Sequence, residues 1–121
     1  MKMTIKHYFD ASHQLTDSKL LITKACARLH GHTYAVIVEV TDAPLNDAGM
    51  VIDFRAVKDV IDQLDHRHLN DILEMEPTAE HIAHWLCTEI YKKLNLNSQV
   101  SICEGYKGQE KASWVTTQSV S

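Results

Sequence analysis

Three histidines, His13, His30 and His32, carry the most specific chemistry in this sequence. His30 and His32 stand two apart in HGHTYAVIV, so on an extended strand both imidazoles project from one side and can converge on one ion. His13 closes an alternating run with the parity of that run's apolar residues, and an antiparallel neighbour would bring it alongside the pair. Three neutral nitrogen donors with no obvious fourth protein ligand describe a catalytic zinc site with one open position, whereas a structural site is normally closed by four. Singly, each histidine has a plainer reading as an ordinary strand residue. Cys26, four residues before His30, favours the metal reading, because a thiol beside a dication and Arg28 can lose its proton near neutral pH and act as base or nucleophile.

Further along, Asp65 and His66 are adjacent in LDHRHLN, at the end of a helical pattern where the chain changes direction. An aspartate can raise the basicity of a neighbouring histidine and fix its orientation, which is the ordinary arrangement for proton transfer. Glu104, in ICEGYKG, ends an alternating run; its two oxygens could accept two parallel N–H donors of a guanidine-like heterocycle edge, and taken alone it reads as a surface charge. His68 reads as a solvated neighbour, His7, His81 and His84 have no partners visible in the sequence, and Cys87 reads as a small buried hydrophobe.

The elements that must position these groups follow from periodicity. Residues 3–13 alternate, with Met3, Ile5, His7, Phe9, Ala11 and His13 on one parity, as a half-buried strand requires. Residues 30–40 repeat the signal with Tyr34, Val36, Val38 and Val40 on the face of His30 and His32. Between them, residues 14–29 show no clean period and read as a long loop of the kind that often carries function. Val57, Val60, Ile61 and Leu64 form a helical stripe behind Asp53 as N-cap. A second helix begins at Pro77–Thr78, with the threonine as cap and Ala79, Ile82, Ala83, Leu86, Ile90 and Leu94 in its buried stripe. Residues 98–104 and 112–120 read as two further strands. The order ββααββ gives an α+β fold, a four-stranded antiparallel sheet with two helices on one face. Ala35 and Ile37 on the other face suggest that it too is partly covered, most simply by another subunit.

Composition bounds the function classes. With 121 residues, 45% of them apolar, the chain suits one domain, residues 1–121, with one site system. A net charge of -4 without a lysine and arginine cluster argues against nucleic acid as a partner. No apolar run is long enough to span a bilayer and no signal peptide is evident, so the expectation is a cytoplasmic protein with no membrane partner. Three widely spaced cysteines lack any CxxC pair and read as thiols. Eight histidines in so short a chain are the compositional anomaly, and they point to metal or acid–base chemistry.

The segments FDASHQL, CARLHGHTY, GMVIDF, LDHRHLN and EPTAEHIAHWL, in that order, resemble successive motifs of the 6-pyruvoyltetrahydropterin synthase and 6-carboxytetrahydropterin synthase family. The resemblance implies a T-fold, in which three subunits join their sheets into a barrel and two trimers stack into a homohexamer with active sites between subunits. It implies Zn2+ on His13, His30 and His32, Cys26 as the proton-abstracting base, Asp65 and His66 as a second proton-transfer pair, and Glu104 as the anchor of the pterin. The substrate implied is 7,8-dihydroneopterin triphosphate. The short chain looks more like the bacterial enzyme of queuosine biosynthesis, a lyase that leaves 6-carboxy-5,6,7,8-tetrahydropterin and releases acetaldehyde and triphosphate, than like the triphosphate-eliminating 6-pyruvoyltetrahydropterin synthase. A zinc-dependent hydrolase and a non-catalytic pterin-binding T-fold module are the readings from other classes. Three positions depart from the family pattern: Gly105 stands where threonine is usual, Trp114 where a tyrosine is expected, and His81 where asparagine is common. Lys19, Lys24, Arg28, Lys107 and Lys111 are candidates by location for the triphosphate.

Overall fold

Strand β1 (Lys2–His13) and strand β2 (His30–Thr41) form the centre of the molecule, paired antiparallel along their whole length from Lys2↔Thr41 to His13↔His30. A computed structural model describes residues 1–16 and 28–119. Alternation decides the faces: Met3, Ile5, Phe9 and Ala11 of β1 and Tyr34, Val36, Val38 and Val40 of β2 are buried on one side. Helix α1 (Phe54–Asp62) and helix α2 (Ala79–Leu94) cover that side with Val57, Val60 and Ile61 from α1 and Ile82, Leu86 and Ile90 from α2. Strands β4 (Gln99–Glu104) and β5 (Val115–Gln118) complete one edge of the sheet.

Both helix starts follow the sequence reading. The Asp53 carboxylate accepts the Arg55 N–H, and the Thr78 hydroxyl accepts the His81 N–H, each satisfying a backbone donor that the helix leaves free. The Asp53 carboxyl titrates at about 2, held down chiefly by its hydrogen bonds with Arg55. Leu64 is fully buried although α1 ends two residues earlier, because the turn that follows keeps it against the core.

The sheet departs from the expected four antiparallel strands. A fifth, β3 (Arg67–His68), pairs parallel with β1 at Ala11 and Ser12, giving the order β3-β1-β2-β4-β5. Two residues leave no periodic signature in a sequence, and a 3-10 turn at Leu69–Asp71 follows at once. The last strand is also shorter than residues 112–120. Ala35, on the face away from the helices, is fully buried within this one chain. Its cross-strand neighbours are Tyr8 and Cys103, and Tyr106 stacks on Tyr8 with ring centroids 5.8 Å apart. Among the described residues no helix is long and apolar enough to cross a membrane.

Leu86, fully buried from α2 against the sheet, reports on this packing. Leu86→Ala should cost about 2–5 kcal/mol, the usual range for emptying a core leucine site, read as a lower denaturant midpoint with an unchanged slope.

Candidate metal and proton-transfer site

The register of β1 and β2 assembles the site. His13 lies directly opposite His30, and His32 is the next residue on the same face, opposite Ala11. One nitrogen from each of the three rings lies within 4.8 Å of the others. His13 is almost wholly buried, while His30 and His32 are half-buried at the end of the apolar face.

Hydrogen bonds fix which nitrogens are available. His13 Nδ1 donates to the Pro77 carbonyl at 2.8 Å, and His30 Nδ1 donates to the Arg28 carbonyl at 2.6 Å. A carbonyl only accepts, so in each neutral ring the proton sits on Nδ1 and the Nε2 lone pair is bare. These two Nε2 atoms face each other at 2.9 Å. Two lone pairs repel at that distance, and either a proton on one ring or a metal cation shared by both removes the conflict. His32 Nε2 is buried and has no hydrogen-bond partner. Glu104 Oε1 lies 2.9 Å from it but outside hydrogen-bonding direction. Burial lowers the pKa of His32 more than the Glu104 carboxylate raises it, and the other two imidazoles add to the lowering. The ring is thereby held neutral, as a ligand must be. Carbonyl partners on the far nitrogens are the usual support of metal-bound histidines. The donor set therefore fits a zinc ion.

Glu104 reaches the cluster because β4 pairs with β2 in the register Tyr34↔Glu104, which sets its side chain on the histidine face. Beneath, Tyr34 is fully buried with its hydroxyl 3.4 Å from His13 Nδ1, and burial, reinforced by Glu104, pushes its phenol well above the ordinary tyrosine value.

Asp65 and His66 form a second group. Asp65 Oδ1 accepts the Asp10 N–H at 2.9 Å, and its Oδ2 lies 3.0 Å from His66 Nδ1. His66 returns a backbone N–H to the Asp10 carbonyl at 2.6 Å and adopts a left-handed φ of 58°. The Asp10 N–H, then His66, hold the Asp65 carboxyl below the usual carboxylate range. With Nδ1 engaged, His66 presents Nε2 to solvent from a largely exposed ring. This pair abuts Asp10, whose side chain accepts from Thr33 Oγ1 at 2.5 Å, and both residues have the parity opposite to the three histidines. A cleft of about 560 Å³ lined by Asp10, Thr33 and His66 extends to His32.

Thus the structure brings His13, His30, His32 and Glu104 together and pairs Asp65 with His66 as a separate group beside Asp10. Cys26, Lys19 and Lys24 lie outside the described residues. Several histidines without visible sequence partners have them: His7 Nε2 meets Asp62 at 2.8 Å, His68 Nδ1 meets the Ser12 hydroxyl at 3.0 Å, so that His68 is not merely solvated, and His81 Nδ1 donates to the Glu76 carbonyl at 2.6 Å. The departures from the family pattern also gain physical reasons. Gly105 has a φ of 72°, which favours glycine, and Trp114 packs on Tyr106 at 5.7 Å. Cys87 is buried as expected, its thiol pushed up by burial. Pro77 and Asn70, which support His13 and its neighbour, were missed because their contacts are to or from main-chain atoms.

A profile of the family described as 6-pyruvoyl tetrahydropterin synthase matches residues 2–116. A 6-carboxy-5,6,7,8-tetrahydropterin synthase of Synechocystis is 38% identical over 92 residues, covering 68% of each chain. A dihydroneopterin monophosphate aldolase of Pyrococcus furiosus is 34% identical over 106 residues, covering 84% of this chain and 85% of its own. The solved structure of the Caenorhabditis elegans 6-pyruvoyl tetrahydropterin synthase superposes with a TM-score of 0.71 at 23% identity, covering 99% of this chain and 96% of that one, and so shares the fold.

Zinc titration should saturate at about one ion per chain, as a three-histidine site requires. His32→Ala should abolish that binding in isothermal calorimetry; undiminished affinity would remove the cluster as the metal site.

Proposed function

The chain belongs to the 6-pyruvoyl tetrahydropterin synthase family, and on that premise we propose that it is a zinc-dependent lyase. Its substrates are 7,8-dihydroneopterin triphosphate and one water, its products 6-carboxy-5,6,7,8-tetrahydropterin, acetaldehyde and triphosphate. The observation that carries the reading is the converging set of His13, His30 and His32 with Glu104 beside it. The ion, held by the three imidazoles, would supply Lewis-acid polarisation of a substrate side-chain oxygen.

The remaining work falls to this chain's own groups. Glu104 accepts paired N–H donors from the pterin edge, and its place next to His32 sets the heterocycle beside the histidines. Cys26, in sequence four residues before His30, is the base that removes a carbon-bound proton. His66 moves the second proton through Nε2, with Asp65 orienting the ring and stabilising its charged form. Within one chain the three histidines and the Asp65–His66 pair form two separate groups, which favours a working site built where two copies of the chain meet.

The relatives are not all named for one reaction. One is named as an aldolase of a dihydroneopterin monophosphate, so a monophosphate substrate is the second reading for this chain. Incubating the zinc-loaded protein with 7,8-dihydroneopterin triphosphate and identifying the products decides between them. Acetaldehyde with 6-carboxytetrahydropterin supports the proposal. A 6-pyruvoyl product without acetaldehyde, or turnover of the monophosphate alone, overturns it.

Cys26→Ala should keep its zinc and lose about 10²–10⁴-fold in kcat, the usual contribution of a general base. Glu104→Gln should raise KM about tenfold or more, as for loss of a charge-assisted hydrogen bond.

A further inference from the structure

We infer that Asn70 is the positioning residue for His13, an inference that rests on the reading of the three-histidine cluster as a metal site. β1 ends at His13, and its parallel partner β3 reaches only to the pair Ser12↔His68. Beyond that point the Asn70 side chain takes the place of a neighbouring strand. Its Oδ1 accepts the Gln14 N–H at 2.9 Å, and its Nδ2 donates to the Gln14 carbonyl at 2.7 Å. A carboxamide holds a donor and an acceptor in one plane, which this two-bond bridge to a single residue's main chain requires.

Asn70 is itself well placed to hold. It is the middle residue of the 3-10 turn Leu69–Asp71, whose first residue is fully buried and whose carbonyl receives the N–H groups of Ile72 and Leu73 at 3.0 Å each. Two further ties run in parallel between the same stretches of chain. The Pro77 carbonyl holds His13 Nδ1, and the Glu76 carboxylate accepts both the N–H and the hydroxyl of Thr16.

The division of labour follows from where each tie acts. Pro77 fixes the rotation of the His13 ring, whereas Asn70 fixes the main chain that the side chain leaves from. Nε2 is at the far end of that side chain, 2.9 Å from its counterpart on His30. A main-chain shift at Gln14 therefore moves a metal donor, although Asn70 touches neither metal nor substrate.

The test is cobalt binding by the full chain, read by calorimetry and by the visible absorption that reports ligand geometry. Asn70→Asp keeps size and acceptor but sets a carboxylate oxygen against the Gln14 carbonyl. It should weaken cobalt binding about 10- to 100-fold, the range for losing a group that supports a metal ligand, and should change the absorption bands at saturation. Asn70→Ala removes the bridge without repulsion and should show a smaller loss; should Asn70→Asp not fold, it carries the comparison alone. Asp53→Ala, which removes the N-cap of α1, should lower the melting temperature and leave affinity and spectrum unchanged. Wild-type affinity and spectrum in the Asn70 variants, or an equal loss in Asp53→Ala, overturns the inference. Failure of the unaltered chain to bind cobalt overturns the metal reading itself, and the inference with it.

Discussion

The antiparallel register of β1 and β2, which sets His13 opposite His30, is the constraint on which the rest depends. Slipping it by one residue would turn every side chain of the slipped strand to the other face and disperse the histidines. What resists the slip is apolar burial: Ile5, Phe9, Tyr34, Val36 and Val38 all lie on the histidine face under the helices. Each such side chain contributes about 1.5–3 kcal/mol when buried, against about 0.5–1.5 kcal/mol for a typical hydrogen bond. The core thus determines where the three histidines stand, and the hydrogen bonds determine how their rings are turned.

That separation explains how a polar cluster survives at the end of an apolar face. Two of the three rings give their Nδ1 protons to main-chain carbonyls, so the buried donors on that side are satisfied. The Nε2 atoms remain as concentrated unpaired acceptor capacity, with a carboxylate added beside them. An arrangement so costly without a cation is what a metal site looks like from its protein side. Asp65 and His66 follow the opposite logic. Their main-chain and side-chain bonds to Asp10 and to each other leave one exposed nitrogen free to exchange protons.

Features governed by local periodicity were legible in the sequence. The shared parity of His13 with Ala11, and of His30 and His32 with Tyr34, foretold one face; Asp53 and Thr78 foretold the helix starts. Features governed by long-range pairing were not. The approach of Glu104 to His32 follows from the β2–β4 register, which no local pattern encodes. β3 is too short to show alternation, and the Asn70 bridge uses a side chain in place of a strand. His7 looked partnerless because Asp62 lies 55 positions away on α1. The T-fold and the pterin chemistry were suggested by motif resemblance rather than by physics, and the likeness to the Caenorhabditis elegans structure bears out the fold.

The central claim is that zinc sits on three histidines with one position left for the substrate. X-ray absorption at the zinc edge of the loaded protein, with and without a pterin ligand, tests it most directly. Three imidazole nitrogens are expected at about 2.0–2.1 Å, with a single light-atom ligand that changes when the pterin binds. A sulfur at about 2.3 Å, or a fourth protein ligand that stays in place with the pterin bound, would contradict it.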